Sequence, residues 1–183
     1  LLDLRRPEVR DYIVESVAGV LDSAEISYVK WDMNRQMAGV GGAFAHRYIL
    51  GLYEVLHRIF DKRPEILFES CSSGGNRFDL GMLCFSPQIW ASDDTDPIER
   101  LDIQKGLSYL YPLSTMGAHV SASPHAQTLR RTPLDTRFAV SCFGCLGYEL
   151  DLRELTPVEL KEARRQIAFY KKHRMTLQYG RLY

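Results

Sequence analysis

Two short segments place acidic side chains directly after apolar runs. Residues 28–35 read YVKWDMNR and put Asp32 behind an aromatic strand-like stretch, and residues 90–96 read WASDDTD and put Asp93 in a similar position. Two carboxyl groups that flank a glycosidic bond can hydrolyse it, one attacking or supporting the anomeric carbon and the other protonating the leaving oxygen. The two segments therefore predict paired-carboxylate chemistry.

Asp32 has the neighbours of an ionised carboxylate. Lys30 lies two residues earlier, so on a strand its ammonium group points to the same side and favours the charged form of Asp32. Trp31 would point to the opposite face, and Asn34 could hydrogen-bond a sugar hydroxyl. A purely structural salt bridge between Lys30 and Asp32 is the alternative interpretation.

Asp93 is the acid nearest the end of its strand, and carboxylates at nearby positions favour its protonated form, as a general acid requires. Asp96 has a simpler explanation. It precedes Pro97 and would cap a helix that begins there, and we expect it to pair with Arg100. A calcium loop is excluded because the central Gly and terminal Glu of an EF-hand are missing.

Other candidate motifs are incomplete. The run CSSGGNR at 71–77 lacks the Lys-Ser/Thr ending of a phosphate-binding loop, and no Gly-x-Ser-x-Gly elbow is present, so its glycines more plausibly allow close backbone approach to a ligand. Cys142 and Cys145 form a lone CxxC, readable as a redox or zinc motif or as small residues of a buried strand. His119 and His125 fit structural roles better than catalytic ones.

Composition excludes several classes of partner. The 183 residues carry 23 basic and 23 acidic side chains, which gives no footprint for nucleic acid or an anionic membrane. No apolar run approaches the roughly 18 residues of a membrane span. Four cysteines do not make a disulfide framework in a chain of this length, and reduced thiols favour a cytoplasmic location. The chain opens in mid-pattern without Met, so we expect it to begin partway through a larger protein.

The apolar pattern alternates between short strands and longer helices. It predicts helices at 6–21, 45–61, 97–110 and 156–173, and strands at 26–31, 65–69, 89–91, 116–120 and 140–145, with the end of another strand at 1–4. Such alternation indicates a parallel sheet with crossover helices. An open doubly wound sheet is possible, but no Gly-rich fingerprint follows a strand. Polar clusters do follow the strands, as in a (β/α)8 barrel, whose active site lies at the C-terminal strand ends.

A complete barrel takes roughly 250 residues, so the chain is interpreted as about the C-terminal half of a (β/α)8 TIM barrel whose first strands are missing. We expect residues 1–183 to be part of a single catalytic domain. Half a barrel leaves two unpaired strand edges, so self-association or poor activity is expected of the chain alone.

The motifs KWDMNR, ESCSSGGNRFD, WASDDTDPIERL, YPLSTMGAHVS and GYELDL, in this order, resemble the catalytic barrel of the glycoside hydrolase family 36 α-galactosidases. The resemblance implies a retaining mechanism, with Asp32 as nucleophile and Asp93 as acid/base. It also implies that Lys30, Asn34, Cys71 and Gly74 line the galactose subsite. No metal or organic cofactor is implied.

The resemblance further implies α-galactoside oligosaccharides, such as melibiose and raffinose with their α-1,6-linked galactose, as substrates, and a homo-oligomeric full-length parent. It also implies that the chain supplies barrel strands 4–8 with their helices. An N-terminal β-sandwich, the first barrel strands and a C-terminal β-domain would lie outside the chain. Asn76 and Asp94 depart from the usual motifs and leave fine specificity open. The alternatives are a galactosyl transferase like raffinose synthase and an inactive galactose-binding remnant.

Overall fold

The computed structural model describes residues 1–38 and 41–181. The chain divides into two compact units, one of Leu1–Ser72 with Arg77–Pro87 and the other of Ser73–Asn76 with Gln88–Tyr183. Each unit alternates strands with helices, which confirms the alternation predicted from the sequence. Each unit is described separately below.

The first unit contains two parallel strands and three helices, in the order α1 (Pro7–Leu21), β1 (Tyr28–Asp32), α2 (Gly42–Phe60), β2 (Leu67–Cys71) and α3 (Leu80–Leu83). Strand β1 pairs with β2 in a register that sets Lys30 beside Glu69 and Asp32 beside Cys71. The C-terminal ends of the two strands therefore lie side by side, which is where a parallel sheet presents its polar groups.

Helix α2 supplies more of the buried apolar residues of this unit than any other element. The apolar face of this predicted helix is buried, with Leu52, Val55, Leu56 and Ile59 at or near zero exposure. The Phe60 ring lies 4.5 Å from that of Phe68 on β2, between ring centroids. Burying each such side chain stabilises the fold by about 1.5–3 kcal/mol, so this contact anchors β2 against the helix.

The second unit contains three parallel strands, three helices and two short 3₁₀ turns: β3 (Gln88–Trp90), α4 (Pro97–Ser108), Leu113–Thr115, β4 (Met116–Ser121), α5 (Leu134–Ser141), β5 (Cys145–Glu149), Leu152–Glu154 and α6 (Pro157–Tyr179). Strand β4 pairs with both β3 and β5. Helix α6 begins with a capping box, in which Thr156 and Glu159 each bind the other's backbone N–H.

Two element predictions are wrong. The predicted strand at 140–145 is divided between the end of α5, a turn at Cys142 and the start of β5 at Cys145. The buried positions of α5 include Leu134, Arg137 and Val140, which have helical spacing. Because Arg137 is charged, a search for apolar residues at helical spacing does not detect this helix. Residues 1–4 form no strand: the first three lie in no helix or strand, and a turn begins at Leu4.

In the part of the chain that the structure describes, no helix combines the length and the apolar character that crossing a membrane requires.

Candidate active site

Asp32 lies at the C-terminal end of β1, on the face that also carries Tyr28 and Lys30, since exposure alternates along the strand. Asn34 Nδ2 donates a hydrogen bond to Asp32 Oδ2 at 2.9 Å. Burial acts to raise the pKa of Asp32, but hydrogen bonds from Asn34, the Cys71 thiol and the Met33 backbone, with the charge of Lys30, outweigh it and lower the pKa. Asp32 is therefore held as a carboxylate.

Three of the predicted site residues in the first unit thus surround one carboxylate. Asn34 and Cys71 hydrogen-bond to Asp32, and Lys30 contributes charge. In this structure Asn34 binds the carboxylate, so its predicted contact with a sugar hydroxyl stays a prediction. Trp31 faces the other way, as expected, and packs edge-on against Phe68 with ring centroids 6.2 Å apart.

Glu69 is a site neighbour that the sequence reasoning missed. Its side chain is buried, and Lys30 Nζ lies 3.4 Å from its Oε1 atom. The Tyr28 hydroxyl donates to the other carboxylate oxygen, Oε2. Glu69 therefore orients the Lys30 ammonium group from the adjacent strand. The available signal in the sequence was a charged residue directly after the apolar residues Leu67 and Phe68 of a predicted strand.

A buried arginine ties together the ends of the two strands in the first unit. Arg77 Nη2 donates to the Trp31 carbonyl at 3.1 Å and to the Cys71 carbonyl. The loop beyond β1 is held as well, because the Ser72 hydroxyl donates to the Met33 carbonyl at 2.6 Å. Burial lowers the pKa of Arg77. The backbone that carries Asp32 is therefore fixed on the side of β2.

Asp93 lies three residues beyond the end of β3, with its side chain exposed. Its Oδ1 atom accepts a hydrogen bond of 2.9 Å from the Trp90 indole N–H. Trp90 itself is buried at the strand end. The donor is neutral, so it orients the carboxyl group without a full opposite charge.

Gly74 belongs to the same unit and packs against the Asp93 backbone. Its φ of +81° lies in the left-handed region, which glycine adopts without a steric cost. A Cβ atom there would lie 2.7 Å from Ser92 Cα, closer than real Cβ atoms approach, and in a tight contact of 3.1 Å with Asp93 N. The structure therefore brings Gly74 and Asp93 together and explains why this position is a glycine.

Arg100, on α4, surrounds the same segment with hydrogen bonds. Its guanidinium donates to the Ser92 carbonyl at 2.6 Å, the Asp94 carbonyl at 2.7 Å and the Gly117 carbonyl at 3.0 Å. Burial lowers the pKa of Arg100 to about 10, against the opposing effect of nearby acidic groups that include Asp93. Arg100 therefore remains charged at neutral pH.

Asp96 is the helix cap that the sequence predicts, since its Oδ1 atom accepts from Ile98 N at 2.9 Å. The expected pairing with Arg100 is wrong: Asp96 binds Arg130 and Thr128, while Arg100 donates to backbone carbonyls. Burial acts to raise the pKa of Asp96, but hydrogen bonds from Thr128, Ile98 N and Arg130 lower it. Asp96 thus has a structural role at the start of α4.

The remaining polar candidates have structural partners. His125 is buried, with Nε2 3.0 Å from the Thr95 hydroxyl. His119 packs against the Trp90 ring at 4.5 Å between centroids and lies 3.2 Å from Glu149 Oε2. Among residues 1–38 and 41–181, no group of three or more His, Cys, Asp or Glu side chains could hold a metal ion.

Comparison with known proteins identifies the family. A family model described as Melibiase matches residues 1–180. The chain therefore belongs to the melibiase family. It is 50% identical to α-galactosidase AgaA of Geobacillus stearothermophilus and 48% identical to α-galactosidase Mel36A of Lactobacillus acidophilus, covering 100% of this chain and 26% of each relative. The predicted resemblance to family 36 α-galactosidases is confirmed.

Solved structures establish the fold. The crystal structure of the family 36 α-galactosidase AgaA matches 98% of this chain with a TM-score of 0.94 at 51% sequence identity, and the match covers 26% of that structure. The α-galactosidase of Lactobacillus brevis matches with a TM-score of 0.91. The catalytic domain of these neighbours is a TIM barrel, so the predicted (β/α)8 class is confirmed, and the chain corresponds to part of the barrel. The chain spans about a quarter of the length of these relatives.

Proposed function

We propose that the protein is a retaining α-galactosidase that removes terminal α-1,6-linked galactose from oligosaccharides of the melibiose and raffinose type. Support comes from membership in the melibiase family and from relatives named α-galactosidases. Two similar structures are complexes of AgaA variants with raffinose and with stachyose. Each of those variants carries a substituted aspartate.

The observation that carries the proposal is the environment of Asp32. This carboxylate lies at the C-terminal end of a parallel strand, where barrel enzymes place their reacting groups. Its hydrogen bonds and the charge of Lys30 lower its pKa despite burial. A carboxylate nucleophile has to be ionised before it can attack, and these contacts keep it so.

The proposed reaction has two steps. Asp32 attacks the anomeric carbon and forms a galactosyl ester, the bond to the leaving oxygen breaks, and Asp93 transfers its proton to that oxygen. Asp93, now a carboxylate, takes a proton from water as the water oxygen attacks the anomeric carbon. The ester bond breaks and Asp32 is released as a carboxylate. Lys30, Asn34, Cys71 and Gly74 are proposed to line the galactose subsite.

Covalent trapping tests the nucleophile and the mechanism together. The full-length protein is treated with 5-fluoro-α-galactosyl fluoride, digested, and analysed by mass spectrometry. We expect a fluorogalactosyl adduct on the peptide that contains Asp32, and its absence from an Asp32→Ala variant. An adduct on a different aspartate would refute the assignment, and galactose binding in calorimetry without adduct or turnover would indicate a sugar-binding protein.

Product analysis addresses the balance between hydrolysis and transfer. We expect free galactose from raffinose at dilute substrate concentration. A longer oligosaccharide as the main product would identify a galactosyl transferase instead.

We also propose a cytoplasmic location and a homo-oligomeric full-length protein. The location is supported by four free cysteines, Cys71, Cys84, Cys142 and Cys145, because disulfides are rare in reducing compartments. The oligomeric state is supported only by the family resemblance. Cell fractionation and sedimentation velocity of the full-length protein test the two proposals.

A further inference from the structure

Arg100 binds the backbone on both sides of Asp93. Its Nη2 atom donates to the carbonyl of Ser92, the preceding residue, and its Nε atom donates to the carbonyl of Asp94, the following residue, at 2.6 and 2.7 Å. The guanidinium is planar, so these two bonds fix the relative positions of the Ser92–Asp93 and Asp94–Thr95 peptide groups. The side chain of Asp93 departs from the backbone between them.

Arg100 also contacts the side-chain partner of Asp93. The Arg100 guanidinium carbon lies 4.8 Å from the centre of the Trp90 ring, and the Trp90 indole N–H donates to Asp93 Oδ1 at 2.9 Å. A third donor, Nη1, binds the Gly117 carbonyl on β4 at 3.0 Å. One side chain thus links the loop that carries Asp93, the ring that orients its carboxyl group, and the neighbouring strand.

Helix α4 holds Arg100 itself in place. Arg100 is 3% exposed, and α4 is capped by Asp96, which is fully buried and bound to Arg130 and Thr128. A functional group is positioned most accurately when its supporting residues lie on rigid elements. The exposed Asp93 loop therefore has a rigid support on its buried side.

We propose that Arg100 is a positioning residue for Asp93: it holds the Asp93 carboxyl group where it can protonate the leaving oxygen. The inference deepens the proposed function and rests on it. Arg100 does not contact substrate in this account. It acts through the backbone of Ser92 and Asp94 and through the Trp90 ring.

Arg137 provides a matched control, because its substitution shows how much activity is lost when a buried arginine with a purely structural role is removed. It is 5% exposed, lies on α5, and donates from Nη1 to the Ser121 carbonyl at the end of β4 at 2.6 Å. Burial lowers its pKa, as it does for Arg100. Neither Arg137 nor Ser121 flanks a carboxylate assigned to the reaction.

The test compares two substrates in the full-length protein. Melibiose has a sugar leaving group that needs protonation, whereas 4-nitrophenyl α-galactoside has a good leaving group that needs it much less. We expect Arg100→Gln to lower kcat/KM for melibiose by about 100-fold and for the aryl galactoside by less than about tenfold. Arg100→Lys, which keeps the charge but not the fork, should fall between the wild type and Arg100→Gln. Arg137→Gln should change both substrates by the same factor.

Each outcome has a defined meaning. Equal losses on the two substrates in the Arg100 variants, as in Arg137→Gln, would overturn the positioning role. So would failure of both Arg100 variants to fold, in circular dichroism and thermal unfolding, when Arg137→Gln folds. The proposed function is tested separately by the wild type: absence of turnover of both galactosides would refute it, and the positioning role with it.

Discussion

The two carboxylates assigned to the reaction have different surroundings. Asp32 ends strand β1 and is hydrogen-bonded by an amide, a thiol and a backbone N–H, with a lysine on the same face. Asp93 lies in a loop beyond β3, and its carboxyl group accepts from the indole of Trp90. The contacts of Asp32 favour its negative charge, whereas the donor to the Asp93 carboxyl group is the neutral indole N–H of Trp90.

The backbone supports of the two carboxylates are similar. In the first unit Arg77 donates to the carbonyl that precedes Asp32, and in the second unit Arg100 donates to the carbonyls on both sides of Asp93. Both arginines are buried. Arg77 binds carbonyl oxygens at the ends of β1 and β2, whereas Arg100 binds carbonyl oxygens in the loop beyond β3 and on β4. A buried arginine thus supports the backbone next to each carboxylate. The two sites differ in the side chains that donate hydrogen bonds to the carboxyl groups, and we attribute the two proposed chemical roles to that difference.

The largest effect is expected at Asp32. Asp32→Ala removes the proposed nucleophile, so kcat/KM should fall by roughly 10⁴-fold or more for every α-galactoside, whatever its leaving group. Steady-state kinetics on melibiose and 4-nitrophenyl α-galactoside measure this. Azide should restore part of the activity and yield β-galactosyl azide, because the anion replaces the missing carboxylate on its own face of the sugar. Wild-type rates in this variant would refute the assignment.

Asp93→Ala should produce a smaller loss that depends on the leaving group. Removal of a general acid costs about 10²–10⁴-fold where protonation is needed, so melibiose turnover should fall far more than aryl galactoside turnover. The measurement is the ratio of kcat/KM for the two substrates. If Asp93→Ala lowered both substrates equally and by as much as Asp32→Ala, the division of roles between the two carboxylates would be wrong.

Gly74→Ala tests whether the Asp93 loop depends on close backbone packing. The added Cβ atom would meet Ser92 Cα at 2.7 Å and force a left-handed φ on alanine, so we expect a destabilisation of about 1–3 kcal/mol in urea unfolding. The displaced loop should also lower kcat/KM by about 100-fold. Gly106→Ala is the control: nothing lies within 4 Å of its added Cβ in helix α4, so it should stabilise by about 0.5–1 kcal/mol. Similar effects of the two substitutions would contradict this account.

The sequence predicts much of this architecture because the elements follow regular periods. The apolar face of α2, the alternation along β1 and the capping box of α6 are each set by local residue types, and the structure reproduces them. The prediction of a strand at 140–145 is wrong because helix α5 was not recognised. Arg137 occupies a buried position of that helix, where the apolar pattern of a helix predicts an apolar residue.

Contacts between distant residues were harder to predict from the sequence. Asp96 and Arg130 are 34 positions apart, so a local pattern favoured Arg100 as the partner instead. Glu69 meets Lys30 only through the strand register, and Arg100 reaches carbonyl groups, which every residue has and no sequence motif marks. The positions of Asp32 and Asp93 after strands were predictable, but the groups that orient them depend on tertiary packing.

The smallest effect is expected at Asn34, where a substitution tests whether this residue sets the pKa of Asp32 or acts on the sugar. Asn34 Nδ2 donates to Asp32 Oδ2 at 2.9 Å, which favours the ionised form. Asn34→Ala should therefore raise the pKa of Asp32, and the acidic limb of the kcat/KM profile should move to higher pH, with a modest change in the plateau rate. Asn34→Asp should move the limb further, because it adds a like charge at the same position.

Asn76→Ala is the matched control, since it removes an exposed amide from the loop beyond β2. It should leave the acidic limb in place. If Asn34→Ala instead lowered the plateau strongly and left the limb unmoved, Asn34 would act mainly on the sugar, as the family resemblance implies. The donors around Asp32 would then bind substrate more than they lower the pKa of Asp32. The different roles proposed for Asp32 and Asp93 would have to follow from their positions in the fold and not from their hydrogen-bond donors.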